Sequence, residues 1–163
     1  MKWKVNSHHQ RRELMSTLHR NIIAVIIGLI ACMAVNGILI GISSSFIPLP
    51  EGVHPNDGKS IADNIHRYEV KHFVFPFLAH GLGSVIGAFL TALIAGSRKM
   101  TFALVIGGVH LLGGVAMVIM VGGPVWFIAL DLGVAYLPAA WIGGKLASRG
   151  GRTLKHPGTA HKF

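Results

Sequence analysis

The sequence predicts an all-α, polytopic membrane protein that crosses the bilayer four times, with both termini on the cytoplasmic side. Three observations carry that expectation. Hydrophobic residues make up 52% of the 163 positions and charged residues only 13%, about half the charged share of an ordinary soluble domain. The apolar residues are gathered into long runs, whereas a soluble core would need them dispersed. All the Lys and Arg residues except Lys145, near the end of the last run, lie outside those runs and collect at the ends and in the links between them.

Four runs are long enough to span a hydrocarbon core about 30 Å thick. They cover residues 22–47, 73–96, 101–123 and 124–147. A basic segment, residues 1–21, precedes the first. That first run is too long for the h-region of a cleaved signal peptide, so an uncleaved anchor is expected. Gly96-Ser97-Arg98-Lys99 and Gly122-Gly123-Pro124 separate the last three runs, and Pro124 suits the first turn of the fourth. Pro76 and Pro138 are expected to kink their helices.

Charge sets the orientation. With the N-terminus inside, twelve of the fifteen Lys and Arg residues fall on the cytoplasmic side, and only Lys59, Arg67 and Lys71 face outward. The reverse arrangement would invert the positive-inside bias. Trp126 and Trp141, near the two ends of the fourth run, suit the aromatic belts. The outer loop, residues 48–72, opens with Pro48-Leu49-Pro50, which stops the first helix. Ser60 and Asp63 have capping-box spacing, and Ile61, Ile65 and Tyr68 share one stripe. A short interfacial helix over residues 60–71 is therefore expected. The tail, residues 148–163, is basic and poor in apolar residues, and is expected to be a disordered cytoplasmic segment near anionic headgroups.

The net charge of +9 reflects cytoplasmic loops and tails, so nucleic acid is not an expected partner. The expected partners are the lipid bilayer itself and other membrane subunits or a second copy of the chain. One cysteine, Cys32, allows no intrachain disulfide and reads as a small packing residue. Most of the ten histidines are scattered through tails and loops, without ligand spacing, so no metal site is assigned. His54, His66 and His72 of the outer loop are too weak a pattern to change that.

Ionisable or amide side chains at membrane depth are costly and mark candidate sites. Four qualify: Asp131, His80, His110 and Asn36. Asp131 is the acid within a span, so it must be neutral or face a donor inside the bundle. His80 sits seven residues into its own run in the same direction, at similar depth, which makes a His80–Asp131 hydrogen bond geometrically reasonable. His110 shares a face with Gly107, Gly114 and Met117. His80 and His110 could serve as paired haem ligands, yet counting along the runs sets His110 about two turns deeper. No cofactor is expected. Asn36 continues the fourfold series Ala24, Gly28, Cys32. Gly37 with Gly41, and Gly83 with Gly87, form GxxxG pairs that predict close helix packing.

The strings KHFVFPFLAHGLGS (71–84), MTFALVIGG (100–108) and ALDLGVAYLPAAWIGGKLA (129–147) resemble a group of small bacterial four-helix integral membrane proteins that carry no assigned function. The resemblance spans most of residues 20–147. It implies the topology and a multi-pass setting in the bacterial cell inner membrane, and it implies no chemistry. The chain does not resemble the small multidrug transporters, which place a glutamate in the first helix where this one has Asn36. No nucleophile–base arrangement is present, so no catalytic residue is assigned. The leading expectation is a non-catalytic accessory or membrane-organising subunit. A small proton-coupled transporter or ion pathway using Asp131 and His80 is the alternative, and a haem protein using His80 and His110 is the third.

Overall fold

A computed structural model describes residues 2–150, with side chains from Glu13 to Arg149. The described residues are helical throughout, joined by turns, with no strand. The helices run α1 (Lys2–Phe46), α2 (Gly58–Asn64), α3 (Val74–Ile94), α4 (Lys99–Val121), α5 (Val125–Val134) and α6 (Leu137–Gly150). Four segments are long and apolar enough to cross a bilayer: α1, α3 with the turn before it, α4, and α5 together with α6. The architecture is that of a multi-pass membrane protein.

The central helix is α3, which packs on α1, α4 and α6. Small residues let it do so. On α1, Ala24 and Cys32 are fully buried, and Gly28 lies between them one turn from each. A Cβ on Gly28 would run into Thr91 Oγ1 and stand 2.8 Å from the Gly87 carbonyl oxygen. One on Gly87 would sit 2.7 Å from both Cys32 Cβ and the Gly28 oxygen. The Thr91 hydroxyl then donates across the crossing to the Ala24 carbonyl at 3.2 Å. Without a hydrophobic drive between helices in lipid, such close approach and bonding supply the association energy. Gly143 of α6 makes the equivalent contact with the Val85 backbone of α3.

The glycine pairs divide. Gly83 and Gly87 are buried in the α1–α3 crossing. Gly107 and Gly114 face α6 and Tyr136, respectively. Gly37 and Gly41 do not pack: a Cβ at either would meet nothing within 4 Å. The α1 row that meets α3 is instead Ala24–Gly28–Cys32, one face round from the GxxxG pair.

Element boundaries differ from expectation where local chemistry intervenes. The basic segment before residue 22 is, from Lys2, continuous with the first span, so α1 has 45 residues. The fourth run is not one helix. It breaks at Ala135-Tyr136, and α5 ends at Val134, four residues before Pro138. Proline has no N–H to offer the Val134 carbonyl, and its ring crowds that oxygen. Pro76, by contrast, falls in the first turn of α3, where no N–H is required, and it begins a helix instead of bending one. Pro124 stands one position outside α5 as its extended N-cap, after Gly122 and Gly123 at φ +80 and +153. Of the tail, Ser148–Gly150 completes α6, and residues 151–163 lie outside the described part.

Residues 48–73 form a structured connection. The helix expected over residues 60–71 is shorter, because Tyr68 and Glu69 adopt extended backbone and stop it. Its N-cap is Asp57, which accepts from Lys59 N at 2.9 Å, so Ser60 and Asp63 are not the capping pair. Ser60 instead accepts from His54 N. Asp63 pairs with the exposed Lys59 ammonium and holds its pKa above the ordinary value. His72, buried, accepts from Glu69 N and donates from Nε2 to the Pro48 carbonyl at 3.1 Å. That bond ties the end of α1 to the start of α3.

Candidate functional site

The polar residues at depth converge on one place, roughly 10 Å along α3 and α5 from their loop-side starts. His80 Nδ1 lies 2.9 Å from both carboxylate oxygens of Asp131 and donates to them. The Tyr136 hydroxyl donates to Asp131 Oδ2 at 3.0 Å. Asp131 is therefore held by donors from α3 and from the start of the fourth segment's second half. It is 3% exposed, and a carboxylate so enclosed is tolerated only when its oxygens are matched by donors.

Tyr136 is in reach because the helix breaks beside it. An uninterrupted helix would place a residue five positions on from Asp131 on a different face. The turn at Ala135-Tyr136, imposed by Pro138, brings its hydroxyl back to the carboxylate. The ring then fills the space left by Gly114, where any Cβ would collide with the phenol. Tyr136 is fully buried. It stacks on His80 at 5.2 Å between centroids and meets the His110 ring edge-on at 5.0 Å.

His110 extends the cluster to the remaining helices. Its Nδ1 shares a hydrogen bond with the Ser84 hydroxyl at 2.9 Å and lies 3.2 Å from Cys32 Sγ. Gly83, beside Ser84, opens the room: a Cβ there would press on the Cys32 carbonyl at 3.0 Å and on His110 Cε1 at 3.3 Å. All four spans thus contribute, through Cys32, His80 with Ser84, His110, and Asp131 with Tyr136.

Three readings of the sequence need correction. His80 and His110 are not two turns apart in depth: their rings touch edge-to-face at 5.7 Å. Counted from the α3–α4 turn, they are 14 and 11 residues away, which is a difference of about one turn that side-chain reach covers. Nor does the pair fit a haem, since Tyr136 packs against both rings where a macrocycle would have to enter. Met117 is half exposed and does not join the Gly107–His110–Gly114 face. Asn36 stands one turn beyond Cys32, and its Oδ1 is buried without a hydrogen-bond partner. The antiparallel register that sets Gly28 against Gly87 and Cys32 against Gly83 places Asn36 level with Ala79. Among the described residues, the loop histidines included, no three His, Cys, Asp or Glu side chains group as metal ligands.

No protein-family model, no curated protein and no solved structure matches the chain. The site is therefore read from its own geometry. Chemically, the cluster is a carboxylate, two imidazoles, a phenol, a hydroxyl and a thiol in one contiguous set, with His80 keeping 17% of its side chain exposed. It can lock four helices in one arrangement, and it can hold a proton at more than one atom.

A second polar set, which the sequence pattern does not signal, lies at the far end of α3. Asn21, nearly buried, accepts from Gly96 N and Ser97 N and donates to Ser97 Oγ. Arg20 donates to the Ile94 carbonyl at 3.0 Å. Together they cap the end of α3 and brace the tight turn in which Arg98 takes the left-handed φ of +42.

Proposed function

We propose that the chain is a four-span protein of the bacterial inner membrane with both ends in the cytoplasm, acting as a non-catalytic accessory or membrane-organising bundle. The observation that carries this reading is the matching of the polar groups around Asp131 and His110: Asp131 receives two donors, and His110 is engaged by α1 and α3. Such matching fastens helices to one another. The twelve-to-three distribution of basic residues supports the orientation. The half-buried Ile61 and Ile65 support placing α2 at the outer interface.

Replacing Asp131 with Asn tests the reading. A fastening role predicts a loss of about 1–3 kcal/mol in detergent unfolding, and the full chain, extracted mildly, should migrate with partner subunits above its own mass.

The contiguity of titratable groups and the partial exposure of His80 favour a second reading, a small proton-coupled carrier or ion pathway through His80 and Asp131. Under that reading Asp131→Asn stays as stable as the parent and abolishes proton-gradient-driven uptake or leak in liposomes. That pair of results would sink the accessory role.

A further inference from the structure

Where residues 65–73 approach the α4–α5 turn, the surface holds a groove of about 700 Å³. Its polar wall carries His66, Tyr68, Glu69 and Lys71, and its floor includes Phe73 and Trp126. A second groove of about 210 Å³ continues from it between α3 and α5, lined by Phe77, Leu78, Phe127 and Leu130. Val70, Phe73 and Trp126 belong to both. The two are one feature, polar at the loop end and apolar along the spans. Phe73 stiffens the junction, packing at 4.7 Å on Phe127 and edge-on at 5.5 Å to Trp126.

We infer that this groove holds one glycerophospholipid with an amine-bearing headgroup, its phosphate at Lys71 and Tyr68 and one acyl chain lying on α3 and α5. The polarity gradient matches that of a phospholipid end to end, and Trp126 marks the level where headgroup meets chain. Charge narrows the class. Lys71 and Glu69 face each other at 3.1 Å, both largely exposed, so the polar wall has a cation and an anion and little net charge. A headgroup bearing phosphate and ammonium complements both, whereas a purely anionic one would meet the Glu69 carboxylate. The Tyr68 hydroxyl is buried without a hydrogen-bond partner, an unfavourable state that a phosphate oxygen would relieve.

The inference rests on the four long helices lying in a bilayer, which reporter fusions test separately. For the groove itself, the purified full chain in mild detergent is offered phosphatidylethanolamine, phosphatidylglycerol and diacylglycerol of matched acyl chains. Retained lipid is then counted by native mass spectrometry. One phosphatidylethanolamine per chain is expected, with Lys71→Ala lowering its retention about fivefold and Tyr68→Phe lowering it in the same direction. Retention of all three lipids alike, unchanged by Lys71→Ala, means annular lipid only and overturns the inference. A preference for phosphatidylglycerol over phosphatidylethanolamine overturns it as well.

Discussion

Gly28 and Gly37 lie on the same helix, and what separates them is what stands opposite. At Gly28 the added methyl of an alanine collides with the Thr91 hydroxyl and crowds backbone at 2.8 Å, while at Gly37 it meets open space. Gly28→Ala should therefore lower stability by about 1–3 kcal/mol through overpacking. Gly37→Ala should raise it by up to about 1 kcal/mol through helix propensity. Unfolding of both variants in mixed micelles checks the contrast; equal effects would mean that α1 and α3 do not cross at Gly28. Sequence spacing alone could not tell these glycines apart, because both belong to fourfold series. The polar residues were more legible. Asp131, His80 and His110 announce themselves by standing in apolar runs. Tyr136, Ser84 and Cys32 do not, since a tyrosine, a serine and a cysteine are ordinary at membrane depth. The available clue to Tyr136 was its place between Asp131 and Pro138.

Helices in this fold are secured at their ends by short-range polar contacts as much as along their lengths. His72 joins α1 to α3 at one end, and Asn21 with Arg20 joins them at the other. Asn21→Ala removes three hydrogen bonds to the α3–α4 turn, and the partly exposed turn amides can then bond water. The expected loss is about 1–3 kcal/mol, accompanied by faster amide exchange at Gly96 and Ser97. An unchanged exchange rate there would show that Arg98 and its neighbours hold the turn unaided. The sequence located this turn from Gly96 and Ser97 but not its brace, because a lone Asn at the edge of an apolar run has no partner visible in one dimension. The same limit explains the fourth segment. Pro138 signalled a kink, yet the outcome is two helices, and the side chain repositioned by the break completes the site.

At the level of the whole molecule, four spans and hydropathy went together in the sequence, and the structure places four helical segments of sufficient length and apolarity, the fourth made of α5 and α6. Orientation is a prediction of charge. A periplasmically active reporter inserted in residues 51–57 should be active, and the same reporter after Phe163 silent. The opposite pattern would refute the orientation. Replacing Arg98 and Lys99 with neutral residues should leave the pattern intact, because most of the basic excess sits at the chain ends.

The length of α1 has a mechanical consequence. Asn21 fixes that helix at the level of the α3–α4 turn, and the rod continues beyond it to Lys2, a further distance of about 28 Å. It is a lever arm anchored at its fulcrum. A swing of about 10° around Asn21 carries Lys2 about 5 Å sideways at that length, so small adjustments where α1 meets α3 are amplified at the far tip of the shaft.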